Sequence, residues 1–559
     1  MIGRRRMRAR LAGALAALSA AALLAGCVMI PTSGEVLSVP IEEDQAEEQV
    51  TFLPRGPQAG ATQEEILQGF VTAGLGPQDG YQVAKQFLAP EFATDWNPTE
   101  SVLVSSRREP VVRLGAERLE LGVQVDAVVD AAGVYRSSRG GGVQDLEFEF
   151  EEVDGEWRIS GAPDGTVVSA GTFRTLFEPY PLYFVDPSAA FLVPDVRWYP
   201  RLATSGTRMA RSLIQGPSAW LEGAVTTSFP EGTRLASPVQ IEDGVARVEL
   251  SPEALEAGQA GRSRMLSQLR ETLGALGTVS GVELVVRDLP IDVAAGEPLE
   301  AEPRAEADPL VLGEDGFGFA GDDGLRRIAG VSAVVEELEP DAVVLSRDRA
   351  SAAIRTEAGV SLVRDGEAAP VDERPDLVAP SIDPHGWLWS ASRTGDRTLR
   401  LVDGSGAVVE LDSGLPDRGV LTALRVSRDG SRLLAAVRGA DSSVLLAAAI
   451  IRDADLVPVE IGEAVTVATE SAAIVDAAWV SGDSVASLTQ DAGGAHVRIT
   501  QLGGFTSGFG EETAAGAIAA GEGGSTGIRL LEGDRVLQPS GAGGWRAVER
   551  GVRVLGVQQ

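Results

Sequence analysis

One thiol and two imidazoles, Cys27, His385 and His496, bound the nucleophilic and metal chemistry open to this chain of 559 residues. His385 lies in an Asp-Pro-His-Gly turn and His496 in an alternating His-Val-Arg-Ile segment. Neither has a neighbour at metal-ligand spacing, so both read as turn and strand residues. The chain has no Gly-x-Ser-x-Gly elbow to expose a nucleophilic serine. Gly313-Glu314-Asp315-Gly316 and Gly321-Asp322-Asp323-Gly324 lack the alternating oxygen ligands and distal Glu of a calcium loop. Gly316-Phe317-Gly318-Phe319-Ala320-Gly321 fits Gly-x-Gly-x-x-Gly but has no strand–helix context, so a dinucleotide site is not expected. No catalytic residue, metal or cofactor is assigned. Among 81 acidic residues a carboxylate pair could still act on a sugar or lactone, and that alternative stays open.

The surroundings of Cys27 point to a different chemistry for its thiol. Arg4, Arg5, Arg6, Arg8 and Arg10 precede an uncharged, Ala/Leu-rich run from Leu11 to Gly26. A basic start, a short apolar stretch and small residues before a cleavage point mark a secretory signal peptide. The run is shorter than the roughly 20 residues that span a bilayer as a helix. Leu24-Ala25-Gly26-Cys27 resembles the lipobox of bacterial lipoproteins. The resemblance implies that Leu24, Ala25 and Gly26 are read by the signal peptidase. It also implies that Cys27 receives an S-linked diacylglycerol and an N-acyl group. One acyl chain holds a protein marginally, at ~0.8 kcal/mol per buried CH₂, whereas two or three anchor it stably. The expected place is the extracytoplasmic face of the cell membrane, with membrane lipid as the first partner.

Cleavage before Cys27 takes five Arg and no acid from a net charge of −33, leaving −38. Such a surface repels nucleic acid and anionic headgroups. Residues 27–60 read as the lipidated N-terminus and a flexible tether: Ile41 to Glu48 is acidic, and Pro31, Pro40, Pro54 and Pro57 interrupt the segment. About 33 flexible residues give a root-mean-square reach of roughly 30 Å.

The elements beyond the tether predict a multidomain protein of α+β and all-β parts. In residues 61–170, Thr62-Gln63-Glu64-Glu65 is a capping box, followed by Ile66, Phe70 and Val71 on one helical face. A second helix is expected from about Asp79 through Val83, Phe87 and Leu88. Leu119–Val125 reads as a strand, and Leu146 to Glu151 alternates strictly. Asp154-Gly155 turns that strand into Trp157-Arg158-Ile159. Two helices before a curled sheet resemble the NTF2-like cone. Residues 171–300 predict a second α+β domain. Met209 to Gln215 is a helix stopped by Gly216-Pro217, Gly244 to Ser251 is an alternating strand, Arg262 to Leu276 is an amphipathic helix, and Gly281 to Asp288 is a closing strand. "Leu-x-x-Gly-Pro", "Pro-x-Gly-Thr-x-Leu" and a terminal "Val-x-Leu" strand are similar to the GerMN domain. Residues 290–309 read as a linker. Residues 310–559 show no convincing amphipathic helix, and a loose repeat marked by Asp348, Asp383, Asp429 and Asp483 recurs at intervals of 35, 46 and 54. A four-stranded propeller blade takes about 40–50 residues, so a β-propeller of five or six blades is expected, with a pair of β-sandwiches as the alternative.

In this order the parts resemble the LpqB lipoproteins of actinobacteria, as does the start Cys27-Val28-Met29-Ile30-Pro31-Thr32-Ser33-Gly34. That resemblance implies a non-catalytic envelope lipoprotein whose partner is the extracellular domain of an MtrB-like sensor histidine kinase. It further implies a modulatory role in MtrA–MtrB signalling, division and envelope homeostasis. A propeller that binds or hydrolyses carbohydrate is the second reading. Mass analysis of the mature N-terminal peptide is expected to show Cys27 lipidated; an unmodified thiol at residue 27 would overturn the anchor.

Overall fold

The computed structural model describes residues 54–559 apart from 78–79, 139–141, 295, 396, 417–418 and 542. The signal segment, Leu24, Ala25, Gly26 and Cys27, and the tether as far as residue 53 lie outside the described residues. The described end of the tether lies against the first domain, where the Gly60 amide donates to the Glu156 carboxylate at 2.8 Å.

The capping box forms as expected. Thr62 Oγ1 accepts from the Glu65 amide at 3.3 Å, and the Glu65 carboxylate accepts from the Thr62 amide at 2.8 Å. It starts helix α1 (Gln63–Ala73), which buries Ile66, Leu67, Phe70 and Val71. The second predicted helix is shorter than expected: α2 spans Gln82–Lys85. Phe87 and Leu88 leave it because residues 87–89 bond to Ile159 instead, and Pro90 cannot continue a helix. Helix α3 (Phe92–Asp95) follows.

Seven strands make the first sheet: β1 (Ser101–Arg108), β2 (Val112–Arg113), β3 (Arg118–Asp130), β4 (Tyr135–Ser137), β5 (Val143–Val153), β6 (Glu156–Gly161) and β7 (Thr166–Ser169). The order is β6-β5-β3-β1-β7, with β2 and β4 also on β3. On β5 the alternation holds: Leu146, Phe148 and Phe150 are buried while Glu147, Glu149 and Glu151 face solvent. Asp154 and Gly155 turn with φ of 54° and 79°, the left-handed pair that matches hairpin twist. Helix α1 lies on the buried face. Phe70 meets Trp96 at 5.0 Å and Phe148 at 6.2 Å between ring centroids. These rings leave a cavity of about 30 Å³ between α1 and the sheet, room for one or two waters.

Helix α4 (Ala170–Leu176) leads into the middle domain, which opens on a long hairpin of β8 (Phe177–Val185) and β9 (Leu192–Pro200). Helix α5 (Ser205–Gln215) ends at Gly216, before Pro217. Strands β10 (Gln240–Glu242) and β11 (Val245–Glu249) pair antiparallel, and helix α6 (Gln259–Gly274) crosses over to β12 (Gly281–Val286), parallel to β11. Arg287 and Asp288, read as the end of this strand, take positive φ and turn it into β13 (Leu289–Pro290). Met265, Leu269 and Leu273 of α6 are fully buried against Leu182, Phe184, Val193 and Tyr199 of the hairpin.

The remaining residues form six sheets among the described residues. Blades two to six occupy 342–372, 381–412, 420–470, 473–513 and 517–549, and blade one is built from 310–326 plus Val552–Leu555. Every pair of neighbours shares an apolar cluster, including the last with the first, where Ala519 and Val536 meet Val311, Val552 and Leu555. The ring is therefore closed by Val552–Leu555, and the chain then makes one further long-range pairing, Val557–Gln558 beside Val344 and Leu345 of blade two. One short helix, α7 (Ser332–Leu338), not foreseen from the sequence, lies between blades one and two. Gly316–Gly321 is a strand, not a phosphate loop; a Cβ at Gly318 would stand 2.3 Å from the Arg326 carbonyl oxygen.

Asp383 shows what holds the ring's turns. Its carboxylate accepts from the amides of His385 and Trp387, the Trp389 indole at 3.0 Å and the Arg452 guanidinium at 2.6 Å, all out of solvent. Asp383→Ala is expected to cost about 3–5 kcal/mol, because it strands a buried guanidinium. Asp348→Ala, at an exposed turn, should cost about 1 kcal/mol. Chemical denaturation of the two variants checks this, and equal losses would refute it.

Candidate functional site

The four marker aspartates occupy the same place in successive blades, the turn between the first and second strands. Their carboxylates therefore gather at one mouth of the propeller. Asp348 accepts from Ser346 Oγ and the Ala350 amide, and these bonds hold its carboxyl below the ordinary range. Asp429 accepts from Ser427 Oγ, the Ser431 amide and Arg432. Burial pushes its carboxyl up, but Arg432 and those bonds outweigh it, and the net shift is downward. Asp483 accepts from Ser481, Ser484 and Gln501. The marker residues are thus turn formers tied into their own blades. His385 sits at this mouth, half-buried, and burial and Arg452 push its imidazole below the ordinary range against the pull of Asp383 and Asp186. His496 lies far along blade five, on the strand Ala495–Gln501, 3.8 Å from Asp491.

Two further segments cover the mouth. The linker pairs with the tip of the β8–β9 hairpin through the Glu300 backbone, and the Glu300 carboxylate takes Arg347 of blade two at 2.5 Å. Beyond it, Glu306 binds Arg326 and Arg349, and its amide donates to Gln558 Oε1 at 2.8 Å. Gln559 crosses beneath: its amide donates to the Leu345 carbonyl of blade two, its side-chain oxygen accepts from Ser381 of blade three, and its side-chain nitrogen donates to the Val426 carbonyl of blade four. Arg428 of blade four reaches past blade five to the Ala520 carbonyl of blade six.

Sequence reasoning missed one carboxylate pair here. Glu302, a linker acid by composition, is raised above the ordinary range by burial and by nearby Asp483. A carboxyl raised beside a second acid is the electrostatic pattern of a candidate acid–base pair. The space beside it, lined by Arg428, Arg432 and Trp479, is about 10 Å³, and two neighbouring cavities along the channel are about 10 and 20 Å³. Each has room for about one water, not for a sugar ring.

The propeller also joins the other two domains. Trp198 of β9 donates its indole N–H to the Gly503 carbonyl of blade five at 2.7 Å, and its amide donates to the Gly133 carbonyl of the first domain at 2.7 Å. Its ring packs on Phe173 of α4, Tyr135 of β4 and Phe505 of blade five, at 4.9, 6.0 and 5.5 Å between centroids. Arg174 stands 4.2 Å over the Phe505 ring. On the same strand, Arg197 and Asp195 form an ion pair at 2.7 Å that is almost wholly buried, with Arg197 also on the Ala132 carbonyl and Asp195 on Ser218. Three domains converge on β9.

Comparison with known proteins bears on this three-part body. Residues 56–174 match the family described as "Lipoprotein LpqB, N-terminal domain", 181–292 match "Sporulation and spore germination", and 319–555 match "Lipoprotein LpqB beta-propeller domain". The chain belongs to the LpqB lipoprotein family. It is similar to the Lipoprotein LpqB of Thermobifida fusca, 26% identical over 97% of this chain and 98% of that one. It is also similar to that of Streptomyces coelicolor, 29% identical over 78% and 79% of the two chains. Among solved structures, the first GerMN domain of the sporulation protein GerM from Bacillus subtilis is 17% identical, covering 22% of this chain and 97% of that one with a TM-score of 0.19. LpqB proteins are lipoproteins, anchored to a membrane through lipid. No helix among the described residues is long and apolar enough to cross a membrane.

Phe505→Ala removes the propeller's part of the junction while leaving the cores of the other domains intact. It is expected to lower the thermal midpoint and to split unfolding into two resolved calorimetric transitions, one for the propeller and one for the first two domains. A profile unchanged from the parent would show that the junction does not couple them.

Proposed function

We propose that this LpqB family member is a non-catalytic interaction module, held by lipidated Cys27 at the extracytoplasmic face of the cell membrane. In this reading it binds the extracellular domain of a sensor histidine kinase of the MtrA–MtrB type and modulates its signalling in envelope homeostasis and division. The observation that carries the reading is the filled propeller mouth. Where an enzyme would open a funnel to substrate, this chain lays residues 300–309 and Gln559, and docks the β8–β9 hairpin on top. With the mouth occupied, the outer surfaces of the three domains are the part of the molecule offered to partners. Their fusion around β9 supports a body that moves as one piece on its tether, so that its partner lies near the membrane.

Crosslinking followed by co-purification from native membranes tests the partner. The wild-type chain is expected to recover a sensor kinase, and Cys27→Ala, freed from the membrane, to recover several-fold less. Failure to recover any sensor kinase with the lipidated chain removes the partner assignment.

A further inference from the structure

One stretch of the middle domain runs against the charge of the rest of the chain. Residues 196–221 hold no acid and four arginines, Arg197, Arg201, Arg208 and Arg211. At the chain's own average, 81 acids in 559 residues, about four acids would fall there. Arg197 is taken by buried Asp195. The other three make no side-chain hydrogen bond or ion pair among the described residues.

Helix α5 decides where they point. It buries Ser205, Met209, Ala210, Ser212 and Leu213, which leaves Arg208 and Arg211 on its outer face, one turn apart. Arg201, in the turn before the helix, and Arg211 are exposed, and Arg208 is half-buried. Arg208 stands close enough to Tyr81 of the first domain and Tyr199 of β9 to act on both hydroxyls, so the stripe borders the junction of these two domains. The acids around it are engaged or turned away. Glu178, opposite Tyr199 on the hairpin, accepts from the Tyr180 hydroxyl at 2.7 Å. On β10 it is Ile241, not Glu242, whose side chain approaches α5, beside Gly206.

Within the chain this arrangement is unfavourable. Like charges one turn apart on a helix repel. Arg208 also lies in the first turn of α5, where the helix dipole disfavours a cation. An acid at either position would suit the helix better, and an anion brought from outside relieves both penalties at once. A bilayer or a nucleic acid would set its anions against the whole body, whose net charge is −33, whereas a short segment meets only the stripe. Each guanidinium can take a carboxylate through two parallel N–H bonds.

We propose that the outer face of α5 docks a short acidic segment of a protein partner, whose carboxylates pair with Arg208 and Arg211 and extend to Arg201. The assignment rests on the reading of the body as an interaction module, and not on a kinase being the partner.

The test uses the full mature chain with Cys27→Ser, which carries no acyl group. A fluorescein-labelled Glu-Ala-Ala repeat peptide, followed by anisotropy, is expected to bind saturably and to weaken as salt rises. The matching Gln-Ala-Ala peptide is expected to bind at least roughly tenfold more weakly. Arg208→Glu with Arg211→Glu should weaken the acidic peptide at least roughly tenfold. Arg438→Glu with Arg550→Glu, an equal change of charge at exposed positions of the propeller, should change it by less than about twofold. Arg208→Glu alone should keep or raise the thermal midpoint, because it puts an acid in the first turn and one turn from Arg211. A midpoint lowered together with binding would give Arg208 a structural role and overturn the proposal. Equal binding of the Gln-Ala-Ala peptide, an equal loss in the propeller variant, or no saturable binding would also overturn it. So would co-flotation with phosphatidylglycerol vesicles that the Arg208→Glu, Arg211→Glu chain loses, since the stripe would then serve a membrane. No kinase enters the assay, so failure here leaves the kinase reading standing, and failure to recover a kinase leaves the docking face standing.

Discussion

Strand β9 is buried along its whole length, and the arrangement of all three domains depends on that. Its two faces serve different cores. Val193 and Tyr199 point into the middle domain's cluster with Met209, Met265 and Leu269. Pro194 and Trp198 point the other way, toward Gly482 and Phe505 of the propeller and Tyr135 of the first domain. A strand enclosed on both faces ordinarily reads as an unbroken apolar run. This one carries Asp195 and Arg197 in its middle. Burying two charges costs several kcal/mol per ion unless they are paired and hydrogen-bonded. The pairing is complete only when Ser218 and Ala132 are also in place, so the ion pair ties the chain's folding to a particular docking of domains.

The propeller solves a related problem of loose ends. A ring of sheets removes open edges only if the first and last blades share strands, and here Val552–Leu555 completes the blade begun at Leu310. The segment that follows then runs beside the first strand of blade two and ends under the linker. Channel, linker and tail are thus one packed feature. It leaves water-sized gaps around Glu302 and Asp483, where the electrostatics alone would have suggested an acid–base pair.

Rules that act over a few residues were readable in advance. Thr62 and Glu65 cap each other because they are three apart, Leu146 to Phe150 alternate because a half-buried strand has a period of two, and Asp154-Gly155 turns because both tolerate positive φ. The α+β and propeller classes followed from such signals taken together. Reading failed where a distant partner outbid a local one. Phe87 and Leu88 have helical spacing, yet their backbone is claimed by Ile159. The acids of 290–309 look like a solvated linker, yet Glu300 pairs with Arg347 and Glu306 bridges two arginines. The marker aspartates were found by their repeat, but their roles as turn formers needed their bonding partners.

From the sequence alone came the signal segment with its lone thiol at Cys27, the run of elements, and a chain without other marked reactive groups. These depend on residue type and short spacing, which the chain carries whether folded or not. Which surfaces are free and which are covered was decided only by tertiary structure. Trp198 and Phe505 are about three hundred residues apart, and no periodicity announces their contact. Their meeting is set by the closure of the ring and by the burial of β9, both of which are satisfied only when the whole body has assembled.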